Sequence, residues 1–234
     1  MHQVLQSRKA IQSNLDDVAA VLAREKPDVV ALQEADGPSA WSGNFDHVRY
    51  LAGKAAFTHS VRGEHAKAMK VSYGTALLSR LPLRDPASIA FKPSPPTPSK
   101  GFVVGTVDWP GDAKVEVDVV SVHLDFSRQA VRRKQVEEMV GKLAGRGRPL
   151  ILMGDFNCEW QSKEPTLRTL AQKLNLRAWR PEAADMDTFR KLRKRLDWIL
   201  ISPALRFSRY DVLADGISDH LGIVCELGMA GGGG

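Results

Sequence analysis

PLILMGDFN, residues 149–157, sets the reading of this chain: four consecutive apolar residues run into Gly154, Asp155, Phe156 and Asn157. A short apolar run bounded by proline and glycine fits a strand covered on both faces, and such strands belong to sheets flanked by helices. Similar runs lie on either side: VVALQE (29–34), YGTALLS (73–79), FVVGTVDW (102–109), VEVDVVSVHLDF (115–126), LDWILIS (196–202), YDVLA (210–214) and LGIVCEL (221–227). Between them stand helical patterns. SNLDDVAAVLARE (13–25) offers Ser13 and Asn14 as caps and repeats Leu15, Val18, Val21 and Leu22 on one face. A second helix is predicted from about 128 to 143, with Val136, Met139, Val140 and Leu143 inward and Gly145 and Gly147 closing it. A third, entered through Pro165, carries Leu167, Leu170, Ala171 and Leu174. FKPSPPTPSKG (91–101) has four prolines in eleven residues and reads as a surface loop. The pattern is a strand-rich α/β domain with its helices outside.

Composition bounds the rest. At 234 residues, with 43% apolar and 26% charged residues, the chain is a globular domain and not a disordered, collagen-like or coiled-coil one. No apolar run reaches the roughly 18 residues of a membrane span, and MHQVLQSRKAIQSN lacks the apolar stretch of a secretory signal. With no internal repeat or linker, residues 1–228 are read as one domain, and the glycine-rich residues 229–234 as a disordered tail. Two cysteines, Cys158 and Cys225, supply no disulfide framework, leave one isolated bridge open, and favour a reducing, cytoplasmic setting. A formal net charge of +6 would attract phosphorylated or nucleic-acid ligands without identifying them.

Polar residues interrupt the apolar strands at particular points. Glu34 closes one run, His123 and Asp125 close another, and Asp155 with Asn157 closes a third, while Asp197 and Asp219-His220 precede later ones. If the later strands run antiparallel to the earlier, all these points fall on one sheet edge. At a period of two, Asp155 and Asn157 project to one face and address one ligand. Glu34, Asp155, Asn157 and Asp219 are oxygen donors, a set suited to Mg²⁺ or Mn²⁺ and not to structural zinc. Taken singly, each has an ordinary alternative: an acid at a strand end is often a turn former or helix cap, His123 a satisfied core histidine, and GDFN a Gly-Asp-Asn turn.

Six segments occur together and in order: LQE (32–34), YGTALLSRLPL (73–83), SVHL (121–124), GDFN (154–157), RLDWILIS (195–202) and SDH (218–220). In these the chain resembles the endonuclease/exonuclease/phosphatase superfamily over roughly residues 15–227. The resemblance implies a DNase I-like four-layer α/β sandwich: two packed mixed sheets, helices outside and the active site at one end. It also implies roles. Glu34 and Asp219 take the metal, Asp219 through ion or solvent shell. Asp155 orients or deprotonates water, and Asn157 positions that water and the phosphate. His123 contacts the phosphate, and His220, oriented by Asp197, belongs to a catalytic His-Asp pair. Metal and imidazolium groups would offset phosphate charge while the carboxylate makes the nucleophile.

The chain departs from the family pattern at its start, where members carry a strand ending in Asn beside the metal-binding Glu. Asn14, at the start of a helix, is expected to be spent on its own backbone. The first strand is therefore read as missing, with a native start upstream as the favoured explanation and secretion left open on that account. For substrate, RKLRKR (190–195) and Arg128, Arg132, Arg133 and Lys134 offer basic faces, and Trp41, Trp160 and Trp179 lie where they stack on bases or simply pack. The leading expectation is a monomeric, metal-dependent nuclease or general phosphodiesterase. A lipid or small-molecule phosphoesterase is the second reading, and a non-catalytic nucleic-acid or phosphate-binding module the third.

Overall fold

The computed structural model describes residues 7–39, 42–68 and 71–231; Trp41 and the last three glycines lie outside them. In chain order the elements are α1 (Arg8–Glu25), β1 (Val29–Leu32), α2 (His47–Lys54), β2 (His59–Ala68), β3 (Val71–Ser79), β4 (Arg84–Ala90), β5 (Gly101–Trp109) and β6 (Asp112–His123). There follow α3 (Gln129–Leu143), β7 (Leu150–Asp155), α4 (Thr166–Lys173), β8 (Arg177–Ala178), β9 (Asp197–Ile201), β10 (Leu205–Val212) and β11 (Ile223–Met229).

Three apolar clusters define four layers. Leu15 and Ala19 of α1 and Val48 and Leu51 of α2 pack on Ala76 and Leu78, on the outer face of the sheet β1-β3-β2. The inner residues Leu77, Val29, Ala31 and Val61 meet Val103, Val117, Val119, Ile199 and Ile201 of the six-stranded sheet β4-β5-β6-β7-β9-β8. On that sheet's other face, Val120, Val122, Leu152 and Leu200 pack against Val136 and Met139 of α3 and Leu167 and Leu170 of α4. The four-layer sandwich is thus present. Among the described residues only the six-stranded sheet is mixed, through the parallel pair β6-β7; β1-β3-β2 is antiparallel, and β10-β11 stands as a separate two-stranded ribbon.

Several expectations need correction. The first helix begins at Arg8 behind an Ser7 cap, so Ser13 and Asn14 lie within it. Asn14 does not spend its amide on its own helix: its Nδ2 donates to the carbonyl of Ile217, 2.9 Å away. β1 is half-buried throughout instead of covered on both faces; among the described residues β3 is its only ladder partner. The expected tail contributes Met229 to β11, paired with Leu205. The proline-rich loop is not wholly at the surface, since its ends, Phe91 and Lys100, are buried. Both cysteines are free. Among the described residues no helix is long and apolar enough to cross a membrane.

Candidate active site

Backbone register assembles the site. Across the six-stranded sheet, Gly101 of β5 is the partner of His123 on β6, His123 of Asp155 on β7, and Asp155 of Asp197 on β9. One row of the sheet therefore carries three of the candidate side chains. Because Val117 and Val119, Ile151 and Met153, and Ile199 and Ile201 face the space between the sheets, the period of two sends His123, Asp155 and Asp197 to that same side. Tyr73, in step with the inward Leu77 on β3, looks across at them, and its ring centroid lies 6.3 Å from that of His123.

The β6-β7 approach is tight. Gly154 has φ 150°, and a Cβ there would lie 2.0 Å from the carbonyl oxygen of Val122, so only glycine lets β7 deliver Asp155 beside His123. The strand ends at Asp155. Asn157 then takes φ 51° in a turn, its N–H donating to Asp155 Oδ1 at 2.9 Å and its Nδ2 to Leu124 O at 3.1 Å and Asp155 Oδ2 at 3.2 Å. The period-of-two argument for Asn157 thus fails, yet its amide still adjoins Asp155, as a clamp on both carboxylate oxygens.

Asp197 Oδ2 accepts a 2.8 Å hydrogen bond from His220 Nδ1. His220 is set by its bridge to Phe189, whose ring centroid lies 4.8 Å from its own. Burial alone would lower its pKa; the Asp197 hydrogen bond and the charges of Asp197, Asp155 and Asp219 instead raise it to about 9. His123 goes the other way: burial, then the neighbouring Lys100, holds it well below the ordinary range, so its imidazole is neutral. This corrects the expectation of two imidazolium groups. Burial and the charge of Asp197 push Asp155 up to about 7, while His220 pulls it back.

Asp155, Asp197 and His220 each place a ligand atom within 4.8 Å of the others, close enough to share a metal ion. The carboxylates suit a hard divalent cation, but binding through His220 would compete with its proton. The structure leaves Glu34 and Asp219 outside this cluster. Glu34 follows β1 with φ 53° and an exposed side chain, and its charge raises the neighbouring Asp36, whose burial is the larger cause, to about 6. Asp219 is exposed, 3.8 Å from Lys191 Nζ.

Two groups escaped the sequence reading: Tyr73 and Lys100. Lys100 Nζ bonds the Tyr73 hydroxyl and lies 3.1 and 3.2 Å from the ring nitrogens of His123. Burial lowers its pKa to about 8, against the pull of Glu34, Asp155 and Asp125. A lysine after a proline-rich stretch gave no signal of burial. Asp125, by contrast, proves to be a turn former: its carboxylate accepts from the N–H groups of Ser127 and Arg128 and from Thr97.

The chain matches the model of the Endonuclease/Exonuclease/phosphatase family over residues 10–220. Among solved structures, an endonuclease/exonuclease/phosphatase from Beutenbergia cavernae has a TM-score of 0.78 at 23% identity, covering 93% of this chain and 66% of that one. The human Nocturnin catalytic domain scores 0.75 at 21% identity, with 94% and 87% covered. A mannosyl-6-phosphatase from Bacteroides thetaiotaomicron scores 0.73 at 16% identity, with 94% and 92% covered. At these identities they attest the fold alone. Comparison with curated protein sequences found no match. The family match runs from residue 10, inside α1, to His220 and takes in every strand that carries the row of His123, Asp155 and Asp197: the chain belongs to the endonuclease/exonuclease/phosphatase family.

Proposed function

We propose that the protein hydrolyses phosphodiesters with the help of a divalent cation. The observation that carries this reading is the row His123, Asp155, Asp197 with His220 hydrogen-bonded at its end. Asp155, poised near neutrality, takes a proton from the attacking water while Asn157 keeps its carboxylate in place. His220, held charged by Asp197, faces the anionic phosphate, and neutral His123 offers it a hydrogen bond. Glu34 and Asp219, which the structure leaves apart from the Asp155–Asp197–His220 group, would join the carboxylate of Asp155 as oxygen donors for Mg²⁺ or Mn²⁺, an ion that would offset phosphoryl charge and acidify water.

One observation favours a compact substrate as a second reading. The basic run 190–195 is largely neutralised: Arg193 lies 3.7 Å from Asp187, Lys191 3.8 Å from Asp219 and Lys194 3.8 Å from Glu159. Arg195 is interior, stacked 3.9 Å from the Trp198 ring and bonded to Tyr210. Trp160 and Trp179 pack on Trp198 and Tyr210 instead of facing solvent as a base-stacking platform. A small-molecule phosphoester therefore stands beside nucleic acid.

The test is hydrolysis of bis(p-nitrophenyl) phosphate, DNA, RNA and sphingomyelin with Mg²⁺ and with EDTA. EDTA-sensitive turnover is expected, lost about 10³-fold or more in Asp155→Ala. Its pH profile should rise as Asp155 loses its proton and fall as His220 does, with limbs near 7 and 9 before any cation shifts them. Turnover indifferent to EDTA and to Asp155→Ala would overturn the reading.

A further inference from the structure

Asp197 and His220 stand 23 positions apart in the chain and meet through a hydrogen bond of 2.8 Å. Two separate backbone segments must be held in step for such a pair to form, and both segments are fastened to one residue, Thr188. Its side chain is fully buried. Its hydroxyl oxygen accepts from Leu196 N at 3.0 Å and from Asp197 N at 3.1 Å, and its carbonyl accepts from Leu221 N at 2.7 Å. The side chain of Thr188 thus holds the backbone of the carboxylate, and its main chain holds the backbone beside the imidazole.

The sheet explains why a hydroxyl is needed there. β8 pairs with β9 only at Leu200 and Ile201, so among the described residues no strand of that sheet lies beyond β9 at Asp197. An N–H group left inside the protein without an acceptor is costly, and a hydroxyl oxygen, with two lone pairs, can take two of them. Thr188 is itself fixed. Its N–H donates to Lys194 O at 2.9 Å, and Phe189 and Lys194 exchange both backbone hydrogen bonds, at 2.8 and 3.2 Å, closing a hairpin over residues 188–194. On the opposite flank, Leu196 O accepts from Phe156 N at 3.0 Å, which ties the same turn to the residue after Asp155. The hydroxyl therefore sits in a rigid frame, aimed at the first residue of β9.

We propose that Thr188 is a positioning residue for the Asp197–His220 pair: it carries both backbone arms and so sets the separation and angle at which carboxylate and imidazole meet. The inference rests on the phosphoester-hydrolase reading for its effect on turnover, and not for the hydrogen bond itself. Thr188 acts through Asp197 and His220 and not on the substrate. A displacement of about 1 Å at a reacting group can cost on the order of 10²-fold in rate, so a residue that never meets the phosphate can still govern the step. The ordinary alternative is a turn residue that stabilises the fold alone, and the two differ in what they do to the pair.

The test uses the full chain. Thr188→Val keeps the branched shape and removes the oxygen, and Thr188→Ser keeps the oxygen; folding is checked by circular dichroism and melting temperature. The downfield Nδ1–H resonance of His220, the signature of its bond to Asp197, is read by NMR at one fixed pH, and hydrolysis of bis(p-nitrophenyl) phosphate by rate with Mg²⁺. Thr188→Val should shift or lose that resonance and lower kcat about 10- to 100-fold, with KM changed less than about threefold, while Thr188→Ser stays within about threefold of wild type in both. In an Asp197→Asn background Thr188→Val should cost less than about a further threefold, because both changes break one arrangement. A folded Thr188→Val with the wild-type resonance and turnover overturns the proposal, and so does a loss that adds in full to that of Asp197→Asn. Should Thr188→Val not fold, Thr188→Cys, whose sulfur is a weak acceptor, takes its place, and an unmoved resonance there overturns it. A displaced resonance in a chain without turnover on any phosphoester would sink the proposed function and leave the positioning role standing.

Discussion

His123 and His220 stand on the two flanks of Asp155 and hold opposite charge states for reasons found in their neighbours. His220 is half-buried but bonded to Asp197, whereas His123 is fully buried beside a cation. Replacing Asp197 by Asn should therefore return the His220 titration from about 9 towards its ordinary value near 6.5, read by NMR of the imidazole Cε1–H. The folded-state pKa of His220 lies above its unfolded value, so its contribution to stability is complete below about pH 6.5 and lost as the pH rises through about 9. Wild type should exceed Asp197→Asn by about 1.5–3 kcal/mol at pH 6, the gap closing towards pH 10, in denaturant unfolding. At this scale the sequence names residues and not charges. His123, Asp155, Asp197 and His220 could be located from strand ends, but the proton on each depends on groups far along the chain. Burial first, and then Lys100, 23 positions before it, hold His123 below the ordinary histidine range.

At the scale of elements, the site is spaced by the backbone ladder. Neighbouring strands lie about 4.8 Å apart, and β6, β7 and β9 set that interval between His123, Asp155 and Asp197. Gly154 is where this spacing is most demanding. Gly154→Ala should cost about 2–4 kcal/mol and lower the melting temperature by several degrees, with activity falling further as Asp155 is displaced. A melting temperature within a degree of wild type would refute this. The central elements were readable from apolar stretches: β7 is apolar from Leu150 to Met153 and β9 from Trp198 to Ile201, and β6 carries valine at 115, 117, 119, 120 and 122. The elements not anticipated lie outside that pattern. β2 (HSVRGEHAKA) mixes charge with its apolar face and carries a bulge between Glu64 and Ala66, and β4 (RDPASIA) is an exposed edge strand with a proline. In the eight-residue α2, Asp46 caps the N-terminus, but only Val48 and Leu51 are buried, too few to announce a period.

At the scale of the whole molecule, the described residues of the layer facing the six-stranded sheet form two parts, β1-β3-β2 and β10-β11, which share one apolar cluster but no ladder. Edge strands leave half their backbone groups outside the sheet. Amide hydrogen exchange should show it: β1 and β10-β11 exchanging orders of magnitude faster than Val119–Val122 of the interior β6. Equal protection in the two regions would mean that the parts act as one sheet. What joins them on the outside is α1. Asn14 holds the carbonyl of Ile217, and both terminal nitrogens of Arg24 hold Asp215, at 2.9 and 2.7 Å. The segment so held is the one that leads to His220. A helix that carries none of the proposed catalytic groups is thereby tied to the segment that positions His220. On the proposed reading salt should act by two routes, screening an anionic substrate in solution and loosening the exposed Arg24–Asp215 clasp on the segment that leads to His220.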